Sequence, residues 1–296
     1  MKIAILTQFP NVHENKRLLE AALKLGHDAE IINIHEVVID VGGKNADQKG
    51  IFYSGKNLQD YDIVIIRSVF SVLKRALAIV RYLRNKGVKV MDNNLDKVAY
   101  SINKVKDYVL FDVADLPIPR TINTSNEEDF IENCNELGFP VIVKHSGSGQ
   151  GLGVYKLDDV NEVEDFVDKL KESGKKFKTY LIQEFIPYVQ DLRIVVISGE
   201  VVGSMQRIPA EGSFKANFSQ GGTVKKIDID DETRDLAKKA ALSTEAFNAG
   251  VDVLITADGS KYILEVNRTP GFEGFEQATG LDIATLTIEE AIKHAY

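Results

Sequence analysis

Asp258-Gly259, near the end of the chain, limits what this sequence can fold into more than any other pair of residues. It lies between two apolar runs, Val251 to Thr256 and Lys261 to Asn267, and Asp-Gly in that setting marks a β-hairpin with a two-residue turn. Such a turn pairs Ala257 with Ser260, and counting back along both strands sets Asp252 opposite Glu265. Opposed residues share a face, with Cβ atoms about 4.5–5.5 Å apart. Alternation adds Asn267 to that face, about 6.6 Å further along. Val251, Val253, Tyr262, Leu264 and Val266 mark the other face as buried. Two carboxylates facing each other on apolar strands weaken a hairpin. A divalent cation removes that penalty, and an all-oxygen Asp/Glu/Asn set suits Mg²⁺ rather than zinc. A solvated face with tolerated charges is the weaker alternative, because the apolar residues claim the opposite face. Asp252, Glu265 and Asn267 are therefore the candidate metal ligands.

A second constraint lies in PVIVKHSGSGQGLG, Pro140 to Gly153. Val141, Ile142 and Val143 form a β-branched run, hence a strand, and it ends in Lys144. Glycine then falls at every second position: Gly147, Gly149, Gly151 and Gly153. Without side chains, backbone N–H groups can approach an anion closely. A lysine at the root of such a loop fits a polyphosphate cradle. No Lys-Ser/Thr closes the run as in a P-loop, and Leu152 and Val154 stand where a dinucleotide fingerprint would have its third glycine. Val154 to Leu157 reads as another strand, so the loop joins two strands as a flap. On this stretch alone, a flexible hairpin without a ligand explains the glycines equally well.

The rest of the chain supplies a frame for these two elements. KIAILT at residues 2–7, a helix from about Asn15 carrying Leu18, Leu19, Ala22, Leu23 and Leu25, and a strand Asp28 to Ile34 open it. Strand Asp62 to Arg67, helix Val72 to Lys86 and strand Val88 to Met91 complete a doubly wound α/β lobe with a parallel sheet, residues 1–92. Such sheets place ligand loops at the carboxyl ends of their strands, here Thr7 to His13 and Arg67 to Ser71. A middle lobe, 93–179, begins with a helical tract Leu95 to Phe111 and includes a helix Glu128 to Leu137, the flap and a helix near Val163 to Leu170. A last lobe, 180–296, starts with strand Tyr180 to Ile186, followed by strands Asp191 to Ile197 and Val201 to Ile208 around Ser198-Gly199, and a helix from Asp230 to about Phe247. A strict two-residue turn at Ser198-Gly199 pairs Arg193 with Ser204. A three-residue loop, or a bulge, is needed to bring Arg193 and Arg207 onto one face.

At 296 residues with net charge −8, the chain can bury a full core and lacks the basic surface of a general nucleic-acid binder. It has no apolar run long enough to span a bilayer and no signal-peptide pattern at its start. A single cysteine, Cys134, fits a reducing cytoplasm and an inert buried thiol. The histidines show no ligand spacing, which argues against zinc. No Ser or Cys has a triad-like setting, and no dinucleotide fingerprint follows strand 2–7, so covalent-enzyme and hydride-transfer chemistry are disfavoured.

A lysine-rooted glycine flap, an upstream lysine at Lys104, the strand QEFI at Gln183 to Ile186 and the Asp…Glu-X-Asn hairpin, in this order, resemble the ATP-grasp superfamily. The tail EVNRTPGFEGFEQATGLDIA, the run RIPAEGSFKANFSQGG and the opening MKIAIL narrow the resemblance to RimK-type carboxylate-amine ligases over essentially the whole chain. The resemblance implies an α/β and α+β ATP-grasp fold: a parallel-sheet substrate lobe, a central lid lobe and an antiparallel C-terminal lobe. It also implies an ATP-dependent, ADP-forming ligase that makes an amide through an acyl phosphate, adding glutamate or a similar amino acid to a carboxylate on a peptide, protein tail or small molecule. By position, Lys104 and Lys144 would hold phosphates, with Gly149, Gln150 and Gly151 in the flap above them. Gln183, Glu184, Phe185 and Ile186 would line the adenine pocket, Asp191 would contact the ribose side, and Lys215 and Asn217 would lie near the triphosphate. Asp252, Glu265 and Asn267 would hold two Mg²⁺ ions, which Mn²⁺ could replace, and Arg193 and Arg207 would stabilise the transferred phosphoryl group. Arg67 and Arg268, converging from either side, would favour an acidic substrate. A cytoplasmic homo-oligomer without nucleic-acid or membrane partners is expected. The departures are a short link from Phe185 to Asp191, Lys215 where arginine is usual, and Arg268-Thr269 in place of a small pair. A D-alanine–D-alanine-type ligase and a non-catalytic Mg·ATP-binding module are the rival readings.

Overall fold

The chain is described by a computed structural model covering residues 1–42, 49–91, 95, 103–147, 153–209 and 222–295. Near-continuous Ile/Val/Leu runs form the first lobe. β1 (Lys2–Thr7), α1 (His13–Lys24), β2 (Asp28–Asn33), β3 (Val38–Asp40), β4 (Gly50–Tyr53), β5 (Lys56–Asn57), β6 (Ile63–Arg67), α2 (Leu73–Asn85) and β7 (Lys89–Met91) follow one another in sequence. The parallel sheet has the order β2-β1-β6-β7, as the strand–helix–strand alternation predicts. Strands buried on both faces need no alternation, and Ile63 to Arg67 are buried throughout. The stretch between β2 and β6 contains the small sheet β3-β4-β5. In α1, Leu18, Ala21 and Ala22 are buried, while Leu23 and Leu25 of the expected stripe are exposed at its end.

The second sheet is built from β8 (Thr121–Ile122), β9 (Val141–His145), β10 (Val154–Leu157) and β11 (Tyr180–Glu184), in the order β10-β9-β11-β8. Helices α4 (Glu127–Leu137) and α5 (Val160–Glu172) cover it, burying Phe130, Cys134, Val163 and Phe166 against Val141, Val143 and Ile182. Asn126 and Asp159 cap these helices by accepting from the N–H groups of Asp129 and Glu162. Tyr180 to Glu184, read from sequence as opening the last lobe, pairs with β9 and β8, so this sheet runs past residue 179. Conversely, α3 (Lys104–Val113), read as part of the middle lobe, buries Tyr108 and Phe111 in the core of the third sheet. Residues distant in sequence decide both placements, and local periodicity carries no record of them.

The third sheet is antiparallel, in the order β14-β13-β12-β15-β16. Its strands are β12 (Gln190–Ile197), β13 (Glu200–Ile208), β14 (Thr223–Lys226), β15 (Asn248–Ile255) and β16 (Lys261–Asn267), with α6 (Asp231–Ser243) packed on one face. Two C-terminal helices, α7 (Glu273–Thr279) and α8 (Ile283–Lys293), were not expected from sequence. They join the first and third sheets in one core, where Phe272, Phe275, Ile283 and Ile288 meet Ile3, Ile5, Ile63, Ile65, Val195 and Ile197. No described helix is long and apolar enough to cross a membrane.

Candidate active site

Two bulges set the geometry. At Ser198-Gly199 a two-residue turn pairs Ile197 with Glu200, both turn residues having positive φ, and a shift between Val195 and Val196 then adds one residue to β13. Beyond it Arg193 pairs with Met205 and Asp191 with Arg207, so both arginines share one face. The bulge alternative, not the longer loop, is the one the chain uses. At Asp258-Gly259 the turn is longer than two residues: Ile255 pairs with Lys261, and Thr256 N–H donates to Ser260 O. A second bulge then leaves Leu264 unmatched and restores Asp252 opposite Glu265, the pair expected from the simple count. The slip changes the buried set, however. Ile263 and Val266 are fully or nearly buried, whereas Tyr262 and Leu264 are only partly so.

Asp252 has Arg193 as neighbour on β12 and Glu265 on β16. Arg193 grips it with Nε at 2.5 Å and Nη2 at 3.2 Å. Arg207 Nη1 reaches the same carboxylate at 3.1 Å while its Nε and Nη2 hold Asp191 at 2.9 and 2.5 Å. On the other side Lys104 Nζ meets Glu265 Oε1 at 2.9 Å. Burial works against the Asp252 charge, but Arg193 and Arg207 outweigh it and hold its pKa below the ordinary carboxylate value. For Asp191 burial prevails over Arg207, and its pKa is raised. Lys104 is raised because Glu265 outweighs its desolvation. Asn267 lies opposite Gly250, a residue sequence reading passed over. A Cβ there would sit 2.7 Å from Arg193 Nη1 and 2.9 Å from Pro270 Cβ, so glycine is what lets Arg193 reach Asp252.

The second sheet approaches this cluster with Lys144 of β9. Its Nζ lies 2.5 Å from Gln183 Oε1 and 3.4 Å from the Tyr108 hydroxyl, and Gln183 Nε2 in turn donates to Thr121 Oγ1 at 2.6 Å. Gln183 is nearly fully buried and orients the lysine. Desolvation pushes the Lys144 pKa down to about 8, with Lys104 lowering it further and Glu265 opposing. Tyr108, also missed from sequence, donates to Leu264 O at 2.7 Å, using the carbonyl of the bulged residue. Glu184 Oε1 accepts from Arg120 N–H at 2.7 Å, and Phe185 carries Lys156 Nζ 5.4 Å above its ring. Ile186 is half-buried at the end of the same segment. Asp191, expected on the ribose side, has its carboxylate committed to Arg207 inside the protein. Gly149, Gln150, Gly151, Lys215 and Asn217 lie outside the described residues.

Arg67 and Arg268 do converge, together lining a cavity of about 20 Å³ with Asn248 and Thr287. That space admits about one water molecule, not a carboxylate-bearing ligand. The Arg268 fork is filled by Asp107, at 2.6 and 3.2 Å. Arg67 donates to Pro270 O at 3.0 Å and lies over the Phe272 ring, and burial lowers its pKa to about 10 against the pull of Glu14. The first lobe meets the loop after β16 elsewhere too. Ser68 Oγ is 3.5 Å from Thr269 Oγ1, and a Cβ on Gly271 would lie 3.0 Å from Glu14 Oε1.

A RimK PreATP-grasp domain matches residues 1–95 and a RimK-like ATP-grasp domain matches residues 102–291. A probable alpha-L-glutamate ligase of Marinomonas sp. (strain MWYL1) is 33% identical over 100% of this chain and 97% of its own length. One of the same description from Cellvibrio japonicus (strain Ueda107) is 32% identical over 97% and 94%. Among solved structures, the ATP-grasp ligase PsnB, complexed with a phosphomimetic variant of its minimal precursor, Mg and ADP, superposes with a TM-score of 0.78 at 20% identity, over 99% of this chain and 98% of that one. D-cycloserine synthetase DcsG gives 0.72 at 14% identity over the full length of both. These two share the ATP-grasp fold. The chain belongs to the RimK-like ATP-grasp family and is an ATP-dependent carboxylate-amine ligase.

Proposed function

We propose that this ligase joins glutamate to the carboxylate of a second molecule through an acyl phosphate. The observation that carries the reading is the Asp252 clasp. Arg193 and Arg207 hold that carboxylate, and Glu265, held by Lys104, stands opposite it on the next strand. Three cations and three carboxylates, counting Asp191, pair with one another there, and Lys144 brings a fourth positive charge to the same cluster. A nucleoside triphosphate and two divalent ions cancel in charge between them, and the surplus positive charge of the cluster favours the phosphate oxygens.

The all-oxygen set of Asp252, Glu265 and Asn267 fits Mg²⁺, and those residues would hold it. Bound there, Mg²⁺ would neutralise charge on the phosphates during transfer. Lys104 and Lys144 attract the phosphate oxygens, and Arg193 and Arg207, released in part from Asp252, stabilise the charge that develops on the moving phosphoryl group. Gln183 fixes the direction of Lys144. The segment Glu184 to Ile186 faces the base, with Lys156 above Phe185. The carboxylate to be activated attacks the terminal phosphorus and displaces ADP, an amine then attacks the acyl phosphate carbon, and phosphate leaves as the amine loses a proton to solvent.

The relatives described as alpha-L-glutamate ligases support glutamate as one partner. Arg67 supports it too: among the described residues its guanidinium forms no ion pair, and its buried Nε has no hydrogen-bond partner, which leaves donor capacity for an acidic group. The testing experiment is phosphate release with ATP, Mg²⁺, each amino acid and a panel of carboxylates, with products read by mass. A glutamate-containing amide is expected, and Arg67→Ala should raise the KM for glutamate at least tenfold while moving the KM for ATP far less. ATP binding with no amide product in any combination would favour a non-catalytic module, and a product lacking glutamate would refute the substrate reading.

A further inference from the structure

The carboxyl ends of β1 and β6 display two phenylalanines. Phe9 is 44% exposed and Phe70 is 55% exposed, and their rings touch, centroids 5.8 Å apart and planes tilted by 50°. Val12, whose N–H donates to Phe9 O, is also exposed. Burying a phenylalanine is among the larger favourable terms available to a fold, so two neighbouring exposed rings need a reason.

The loops that carry the rings are not loose. Gln8 is buried and its Oε1 accepts from both Ser71 Oγ, at 2.5 Å, and Ser71 N–H, at 3.3 Å, which ties the loop after β6 to the loop after β1. Asn15, almost completely buried in α1, donates to Phe9 O at 2.8 Å and Thr7 Oγ1 at 3.2 Å. Phe9 N–H donates to the same Thr7 hydroxyl at 3.1 Å. The polar anchors fix the backbone while the rings point outward. Each anchor also keeps one buried atom without a hydrogen-bond partner, Gln8 Nε2 and Asn15 Oδ1, an unusual residue of unused polar capacity directly under an exposed apolar pair.

The position of the pair says what covers it. Phe70 is three residues beyond Arg67, and the intervening Ser68 meets Thr269, two residues past the metal-ligand position Asn267. Both rings stand on loops at the carboxyl ends of the parallel strands β1 and β6, where such sheets take their ligands, and Ser68 ties the second of these loops to the one that follows Asn267. We propose that Phe9 and Phe70 are specificity-determining residues that bind an aromatic or branched apolar group of the carboxylate acceptor, next to the carboxylate that is activated. The inference rests on the ligase reading above and adds the chemical class of the acceptor. Offset ring–ring contact suits a phenyl group best, and Val12 extends the patch for a branched chain. Acceptors with only hydrogen or a charged group at that place leave the pair wet.

The test measures binding separately from turnover. N-acetyl-Ala-Gly, N-acetyl-Ala-Leu and N-acetyl-Ala-Phe, each with a free carboxylate, are titrated into the full chain with Mg²⁺ and a non-hydrolysable ATP analogue, by calorimetry and saturation-transfer NMR. The phenylalanine acid should bind about tenfold more tightly than the glycine acid, with saturation strongest on its ring. Phe9→Ala and Phe70→Ala should each remove most of that preference, and Phe70→Leu should keep part of it, which a purely structural role would not produce. Equal binding of the three acids, no binding of any, or an undiminished preference in both alanine variants overturns the inference. Failure of the ligase reading shows separately, as absence of phosphate release and amide product with acids that do bind.

Discussion

Lys144 is the residue whose physical state is most exposed to test. Folding lowers its pKa from the ordinary 10.5 to about 8, desolvation being the main cause. The folded state therefore binds this proton less readily than the unfolded one. Below pH 8 that difference is a constant penalty on folding, and it fades as pH rises from about 8 toward 10.5, so this residue makes stability increase with pH across that window. Phosphates reverse the balance by favouring the charged amine. Nucleotide binding at pH 8.5 should thus take up a proton, which calorimetry in buffers of different ionisation enthalpy would show, and Lys144→Arg should abolish the uptake. Unchanged uptake in that variant would assign the proton elsewhere. A second residue-scale expectation concerns Gly250. Alanine there displaces Arg193 or Pro270 by several tenths of an ångström, so Gly250→Ala should lower kcat by tenfold or more while far-ultraviolet dichroism stays native. Nothing in the sequence marks this glycine, because the atoms it makes room for belong to β12 and to the loop after β16.

Among the elements, the two hairpins show how far a count along the sequence reaches. Asp252 and Glu265 are opposed, as counting from Asp258-Gly259 requires, yet the chain arrives there by a wider turn and a compensating bulge. The same device on β13 puts Arg207 beside Asp191 and within reach of Asp252. Turn chemistry is written in Ser-Gly and Asp-Gly, whereas a bulge depends on what the extra residue gains. For Leu264 that gain is Tyr108, whose hydroxyl takes the bulged carbonyl and pins α3 to β16. Tyr108→Phe should cost about 1 kcal/mol in urea unfolding and, because Lys144 Nζ shares the same hydroxyl, raise the KM for ATP. Unchanged stability and KM together would mean that α3 is held by its apolar contacts and by the Lys104–Glu265 and Asp107–Arg268 ion pairs without this bond.

In the whole molecule, the first and third sheets share one core through α7 and α8, while the middle sheet has a core of its own under α4 and α5. The parallel first sheet was legible because buried apolar strands and helix stripes repeat locally. The C-terminal helices were not: EVNRTPGFEGFEQATGLDIA draws attention as a motif, and the partners that make Phe272, Phe275 and Ile288 core residues come from the other end of the chain. The shared core holds the loop after β16 against the carboxyl ends of β1 and β6, where Arg67 donates to Pro270 O. On the proposed function, turnover depends on the charge cluster between β12, β15 and β16. Glu265→Gln removes one of its charges without touching the core. Phosphate release with ATP, Mg²⁺, glutamate and a carboxylate acceptor, measured for the native chain and this variant beside their melting temperatures, should show at least a hundredfold loss with melting shifted by only a few degrees. Native-rate release by Glu265→Gln would contradict the assignment of the nucleotide and metal site to this cluster.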